Sequence, residues 1–131
     1  MVLLDSNFLI LPISKKIDVF VEIENLLSRR IIFTVIPPIM DELKKISHRS
    51  TKIGKYASAA LKFASKCKIL EIEDKEIFGR NVDDIIVDFS RKKNIIVATT
   101  DINLKKRLRE INIPVIYLRD HSRLDLDGYI D

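Results

Sequence analysis

Residues 94–101 read Asn-Ile-Ile-Val-Ala-Thr-Thr-Asp, a short β-branched run that ends in two threonines and an aspartate. Consecutive apolar residues over Ile95–Ala98 predict a strand that is buried on both faces. A second such run, Val2–Leu4, ends in Asp5-Ser6-Asn7. Two buried strands with polar ends indicate a parallel sheet, and functional groups are expected to gather beyond the carboxyl ends of its strands.

The rest of the chain alternates short strands with helices, which is typical of an α/β protein. Further strands are predicted over Ile31–Ile36, Ile69–Ile72 and Val115–Leu118. Helices are predicted over 16–29 after a break at Pro12, from Pro37-Pro38, from Thr51 to about Cys67, from Asn81 or Val82 to Asn94, and around Leu104–Ile111. We therefore expect one α/β domain over residues 1–131, with a central parallel sheet of four to five strands between helical layers. Residues 119–131 are predicted to form a polar tail.

Composition excludes several functional classes. The 131 residues suit one compact domain, and 47% hydrophobic with 32% charged residues excludes a disordered chain. No apolar stretch approaches the roughly 18 residues of a membrane span, and no leader precedes the first strand, so neither a membrane nor a secretory protein is expected. With three glycines the chain has neither a P-loop nor a G-x-G-x-x-G motif.

The cysteine content and the net charge indicate the cellular setting and the kind of partner to expect. A single cysteine, Cys67, cannot form an internal disulfide, and with only two histidines there is no Cys/His zinc pattern. A reducing, cytoplasmic setting is therefore predicted. The net charge of +4 mildly favours a polyanionic partner.

Four acidic residues stand where strands end or helices begin at the expected functional edge: Asp5, Glu42, Asp83 and Asp101. Converging carboxylates raise one another's pKa unless a cation neutralises them, and an all-oxygen site without histidine suits Mg²⁺ or Mn²⁺. Phosphoryl transfer through an activated water is the natural chemistry of such a site. Taken singly, each acid also has a plain structural interpretation as a helix cap, a first-turn charge or a solvated side chain.

The ordered set of motifs resembles the PIN-domain nucleases. Asp5-Ser6-Asn7-Phe8 is similar to the opening D-x-N signature of that family, and Ile39–Leu43 to its helix-borne glutamate. Val82-Asp83-Asp84 is similar to its third acidic motif, and Thr99-Thr100-Asp101 to its T-x-D motif. The resemblance implies a three-layer α/β/α PIN-like fold and an endonuclease. It implies that Asp5, Glu42, Asp83 and Asp101 are catalytic metal ligands for Mg²⁺ or Mn²⁺, and that Asn7 and Thr99 orient them.

Within the family, the chain resembles the small-subunit ribosomal RNA-processing PIN endonucleases, as an archaeal-type stand-alone domain, more than the VapC toxins. The resemblance implies a metal-dependent endoribonuclease that cuts single-stranded RNA, preferably in ribosomal RNA processing. Two alternatives stay open: a VapC-type toxin with a small antitoxin encoded beside it, and an inert scaffold that binds RNA or ribosome-assembly proteins. Homodimers are common among such relatives. Ser6 replaces a common threonine and Asn103 a common acid, which bears on a second metal ion.

Basic residues flank the acidic set on both sides. Six of them are predicted to contact RNA phosphates: Lys44, Lys45, Arg49, Lys52, Lys105 and Lys106. Charge runs also occur on solvated helix faces, which is the alternative for each. Of the adjacent acids Asp83 and Asp84, we predict that Asp83 is the ligand, because successive helical residues are rotated by about 100° and cannot share one small site.

Overall fold

A computed structural model describes residues 1–130. Asp131, the last residue of the predicted tail, lies outside the described residues. In chain order the elements are β1 (Val2–Leu4), α1 (Ser6–Ser14), α2 (Val19–Leu27), β2 (Phe33–Val35), α3 (Pro37–Ser47), α4 (Lys52–Ala64), β3 (Lys68–Ile69), α5 (Asp74–Ile77), α6 (Val82–Lys93), β4 (Ile96–Ala98), α7 (Ile102–Glu110), β5 (Val115–Arg119) and β6 (Arg123–Asp127).

The strands form one sheet in the order β3-β2-β1-β4-β5-β6. The first five are parallel, as predicted, and β6 pairs antiparallel with β5 from Val115 opposite Asp127 to Arg119 opposite Arg123. The strand β1 is buried throughout and β4 is buried at Val97 and Ala98, because helices cover both faces of the sheet, which explains the unbroken apolar sequences of these strands. The predicted α/β fold is confirmed.

The strand β6 corrects the predicted polar tail. Its sequence, Arg-Leu-Asp-Leu-Asp, alternates charged and apolar residues, which is the pattern of a strand with one solvent-exposed face. Asp120 and His121, both with positive φ, turn the chain back from β5. Gly128 ends the hairpin at φ +113°, where a Cβ atom would lie only 2.7 Å from Nη1 of Arg109. The last strand is therefore fixed against α7.

The helix α1 corrects the break predicted at Pro12. Pro12 lies inside α1, where it leaves the carbonyl of Phe8 without its usual helical donor. The helix is apolar nearly all round and buries Phe8, Leu9, Ile10 and Leu11, so tertiary packing outweighs the cost of the proline. The predicted helix over 16–29 is the shorter α2, which Asp18 caps through a bond from the Val21 N–H at 3.2 Å.

Two backbone hydrogen bonds align the carboxyl ends of the strands, where the functional groups are expected. The N–H of Asp5 donates to the carbonyl of Ala98 at 3.0 Å, and the N–H of Thr99 donates to that of Ile116 at 3.0 Å. The ends of β1, β4 and β5 are thereby aligned side by side. Within residues 1–130, no helix combines the length and the apolar character needed to cross a membrane.

Candidate active site

Asp5 is the buried centre of the site, with 4% of its surface exposed. Its Oδ1 accepts from the N–H of Ser6 at 2.8 Å and caps α1. Its Oδ2 accepts from the hydroxyl of Thr99 at 2.7 Å and from Nδ2 of Asn7 at 3.2 Å. Both carboxylate oxygens of Asp5 are therefore held in one orientation. The same side chain caps α1 and belongs to the predicted site.

Asn7 and Thr99 connect the ends of β1 and β4. Oδ1 of Asn7 accepts from the N–H of Thr100 at 3.0 Å, and Oγ1 of Thr99 accepts from the N–H of Asp101 at 3.1 Å. Thr99 is fully buried, so its hydroxyl has a fixed set of partners. These bonds orient Asp5 and Asp101 relative to each other.

Glu42 lies in the second turn of α3, which Pro37 and Pro38 begin. Oγ of the buried Ser6 donates a short hydrogen bond to Oε1 of Glu42. Ser6 immediately follows Asp5, so this bond places the Glu42 carboxylate beside the end of β1. The structure thus gives Ser6 an orienting role that was not predicted from the sequence, and its position between Asp5 and Asn7 was the available signal.

Asp83 and Asp101 come from two helix starts. Asp101 caps α7, because its Oδ1 accepts from the N–H groups of Asn103 at 2.9 Å and Leu104 at 3.1 Å. Asp83 lies in the first turn of α6, where Asn81 supplies the cap. Its neighbour Asp84 is bound by Nη2 of Arg107 at 2.7 Å. Arg107 is a further residue of this edge that the predicted site does not include.

The charges of the four acids influence one another. Burial, opposed by the bonds from Thr99 and Ser6 and reinforced by the charges of Glu42 and Asp83, raises the pKa of Asp5 to about 6. Burial and the charges of Asp101 and Glu42 also raise the pKa of Asp83, against the effect of Arg107. All four predicted carboxylates therefore share one electrostatic environment.

The donor set fits a hard divalent cation, because it is made of carboxylate oxygens, and the charges of neighbouring acids help to raise the pKa of Asp5 and that of Asp83. Among residues 1–130, however, no group of three carboxylate, imidazole or thiol side chains is gathered into a ready metal cage. Burial raises the pKa of Cys67 to about 11, so this thiol is not a nucleophile at neutral pH.

The predicted RNA-binding residues fall into two groups. Lys105 is held in place, because its Nζ lies 3.7 Å from the ring centroid of Tyr117 and 3.5 Å from Oδ2 of Asp127. Its ammonium is held between α7 and the β5–β6 hairpin rather than extended into solvent. The other five are exposed at the ends of α3 and α4 or on α7: Lys44, Lys45, Arg49, Lys52 and Lys106.

A cleft of about 470 Å³, larger than the one beside the carboxylates, lies away from them. It is lined by Met1, Arg30, Ile32, Ile96 and other residues near the amino-terminal ends of the strands. Parallel α/β sheets place their chemistry at the opposite edge, and the acids are found there. Cleft size alone is thus a poor guide to the site of this protein.

The fold and the acidic edge define a nuclease-type domain, and the family assignment agrees. The family model described as "PIN like domain" matches residues 2–121. The chain belongs to the PIN-domain family, as the motifs predicted.

Its relatives fall into two functional groups. "Ribonuclease VapC4" of Methanocaldococcus jannaschii is 31% identical over 127 residues, which are 96% of this chain and 95% of that protein. The "rRNA-processing protein FCF1 homolog" of Mus musculus is 29% identical over 122 residues, which are 92% of this chain. The chain spans only 58% of that second relative.

Two solved structures share this fold. The structure of the PIN domain endonuclease Utp24 superimposes with a TM-score of 0.77 at 28% identity and covers 99% of this chain and 92% of its own. VapBC2 from Rickettsia felis, bound to a DNA fragment from its promoter, gives a TM-score of 0.66 at 20% identity over 91% of this chain and 100% of its own. The second likeness shows the fold alone.

Proposed function

We propose that this protein is a divalent-metal-dependent endoribonuclease that hydrolyses phosphodiester bonds of single-stranded RNA, acting in ribosomal RNA processing. The observation that carries the proposal is the raised pKa of buried Asp5 and of partly buried Asp83. Burial is the main cause at both residues; the charges of Glu42 and Asp83 add to it at Asp5, and those of Asp101 and Glu42 add to it at Asp83. A structural capping role explains the positions of these acids one by one, but it gives no reason to concentrate four of them at one edge.

In this proposal Asp5, Glu42, Asp83 and Asp101 hold Mg²⁺ or Mn²⁺. When bound, the ion supplies a water of lowered pKa and neutralises charge on the phosphate oxygens. Asp101 offers Oδ2, since Oδ1 is engaged by the backbone of α7. Ser6 orients Glu42, while Thr99 and Asn7 hold Asp5. These fixed bonds keep the acids in place before RNA arrives, which lowers the cost of organising the site.

The exposed cations are proposed to hold the RNA backbone. Lys44 and Lys45 lie in the last turn of α3, close after Glu42 along the chain; Arg49 follows the end of this helix, and Lys52 begins α4. Such residues contact phosphates without reading bases. A partner role for ribosome-assembly proteins, a homodimer and a cytoplasmic setting are further parts of the proposal.

A second function is supported by a specific observation. The likeness to VapC4 extends over 95% of that relative, which is named a ribonuclease, whereas the likeness to the FCF1 homolog covers little more than half of it. A VapC-type toxin paired with an antitoxin is therefore the alternative. Both functions use the same carboxylates and differ in their RNA target and partner.

Incubation with total RNA, with and without Mn²⁺, followed by mapping of the new ends, tests the proposal and separates the alternatives. Cuts at one position of ribosomal RNA precursor support processing. Cuts in tRNA or at many sites support a toxin, and a small reading frame beside the gene would supply its antitoxin. RNA binding without any cut under either condition would contradict both and support an inert scaffold.

A further inference from the structure

A small cleft of about 310 Å³ lies directly beside the carboxylates. It is bounded by the end of β4, the first turn of α7 and the middle of β5, through Thr100, Asp101, Ile102, Lys105, Tyr117 and Leu118. Its volume is at the lower end of the range of about 300–1,000 Å³ that is typical of sites for small molecules. Asp101 is both a wall of this cleft and a member of the acidic set.

The walls combine apolar surfaces with a few polar groups. Ile102, Leu118 and the ring of Tyr117 are apolar, while the Thr100 hydroxyl and the Lys105 ammonium can form hydrogen bonds. This mixture is typical of a site that recognises a flat heterocycle by its faces and its edge.

The cationic wall is already fixed in position. Asp127 accepts from Nε of Arg109 at 3.1 Å and pairs with Nζ of Lys105 at 3.5 Å. Because Lys105 also lies over the ring of Tyr117, its ammonium has little freedom to move away. The cleft is therefore largely formed before any ligand binds.

Ile102 is the unusual residue of the rim, since 80% of its surface is exposed although it is isoleucine. It directly follows Asp101, and consecutive Cα atoms are about 3.8 Å apart. RNA with a phosphate at Asp101 therefore places the adjoining nucleotide within reach of Ile102. Burying this side chain against a base would remove apolar surface from water.

We propose that the cleft between Thr100, Ile102 and Tyr117 binds the nucleoside that adjoins the scissile phosphate. This assignment rests on the proposed function, and it names the part of the substrate that the site recognises. A base enters the cleft only when it is unstacked and unpaired, so the cleft gives single-stranded RNA its advantage. In this proposal Lys105 contacts the base or the ribose of that nucleoside, instead of the RNA phosphate predicted from the sequence.

Titration of the protein with adenosine and with uridine in EDTA, followed by amide NMR shifts, tests the cleft. Nucleosides carry no phosphate, so the carboxylates do not repel them and no metal is needed. We expect saturable shifts at Thr100, Ile102, Tyr117 and Leu118. Ile102→Ser should weaken binding by about fivefold, because the shorter polar side chain buries less apolar surface against the base. The control Ile32→Ser replaces another exposed isoleucine, at the opposite edge of the sheet, and should leave binding unchanged.

Three results would overturn the assignment: no nucleoside shifts at all, shifts confined to other surfaces, or Ile102→Ser binding nucleosides as wild type does. RNA cleavage by the same protein preparations, exchanged from EDTA into Mn²⁺, distinguishes failure of the cleft assignment from failure of the proposed function. Cleavage without nucleoside shifts at the cleft overturns the cleft alone. Nucleoside shifts at the cleft without cleavage support the cleft and count against the nuclease.

Discussion

Arg107 donates from Nη2 to Oδ1 of Asp84 at 2.7 Å, and this ion pair separates the roles of two adjacent acids. Asp84 is turned toward α7, whereas the pKa of Asp83 rises through burial and the charges of Asp101 and Glu42. Two neighbouring carboxylates on α6 thus have different partners, as the rotation of about 100° between successive helical residues requires. The assignment of Asp83 as the ligand stays a prediction, and this geometry supports it.

Replacing each of these acids by asparagine tests that assignment. Asp83→Asn should reduce metal-dependent cleavage by more than the roughly 10–100-fold typical of losing a group that only orients a ligand. Asp84→Asn should keep most of the activity and lose about 0.3–1 kcal/mol of stability, the usual value of a first-turn charge. Cleavage rates and thermal unfolding of both variants are the measurements. An inactive, folded Asp84→Asn variant would show that Asp84 is needed for the reaction and that Asp83 is the wrong ligand.

The bond from Ser6 to Glu42 predicts a graded effect. Ser6→Ala removes the donor and should lower cleavage by about 10–100-fold, because Glu42 loses its orientation. Ser6→Thr keeps a hydroxyl at the same position and should retain activity near that of wild type. Single-turnover rates at saturating Mn²⁺ distinguish orientation from simple loss of affinity. If the alanine and threonine variants were equally active, Ser6 would have no orienting role.

Asp5 makes stability depend on pH in a defined direction. Its pKa is about 6 in the folded protein against 3.8 for an ordinary aspartate, so the protonated form is favoured by folding. The ionised Asp5 carboxylate destabilises the folded protein. This destabilisation is absent below pH 3.8, grows as the pH rises, and is complete above pH 6. At about 1.4 kcal/mol per pKa unit, it then reaches roughly 3 kcal/mol. Asp5→Asn should therefore be more stable than wild type at pH 7 in EDTA.

The stability that Asp5→Asn gains over wild type should shrink by about 2–3 kcal/mol when the pH is lowered from 7 to 4. Urea unfolding of both proteins across this range measures it, and the comparison cancels other titrating groups. If the difference in unfolding free energy between the two proteins did not depend on pH, the raised pKa of Asp5 would be refuted. Metal-dependent cleavage should also fall as the pH is lowered, because a cation requires the ionised carboxylate.

The basic end of α3 predicts a change in salt dependence. Replacing Lys44, Lys45 and Arg49 by alanine should weaken binding of single-stranded RNA equally across sequences. The slope of log K against log salt should flatten by about 0.7 for each phosphate that the variant no longer neutralises. Fluorescence anisotropy in EDTA, where the proposed reaction lacks its metal ion, is a suitable measurement.

A matched control carries the same change in charge at the other end of the sheet. Arg29, Arg30 and Lys93 are exposed there, and their triple alanine variant should keep the wild-type slope. If both triple variants flatten the slope equally, net charge rather than the α3 surface attracts RNA.

Much of the fold is predictable because parallel strands buried on both faces have unbroken apolar sequences, as in Val2–Leu4 and Ile96–Ala98. The ends of these strands also indicate which acids lie at one edge. The helix α1 is not predictable in this way, since its proline is a local signal that dense packing overrides. The strand β6 carries the alternation of Leu124 and Leu126 with charged residues, but those charged residues also suit the polar tail that we predicted.

Side-chain partners are harder to predict than backbone elements. Nothing local in the sequence indicates that Lys105 lies over Tyr117 or that Ser6 reaches Glu42, because these pairs join different elements. The distribution of charge along α7 is visible in the sequence, but the pairing of Arg107 with Asp84 requires the packing of α6 against α7. Contacts of this kind depend on tertiary geometry, which periodicity does not encode.

Cleavage of an end-labelled, unstructured RNA by wild type and by Asp101→Asn, in Mn²⁺ and in EDTA, tests the central claim most directly. Asparagine also caps helices, so this variant should remain folded while losing one carboxylate. We predict internal cuts by wild type in Mn²⁺, none in EDTA, and a loss for Asp101→Asn of more than about 100-fold. Undiminished cleavage in EDTA, or by the folded variant, would contradict a metal-dependent site built on these carboxylates.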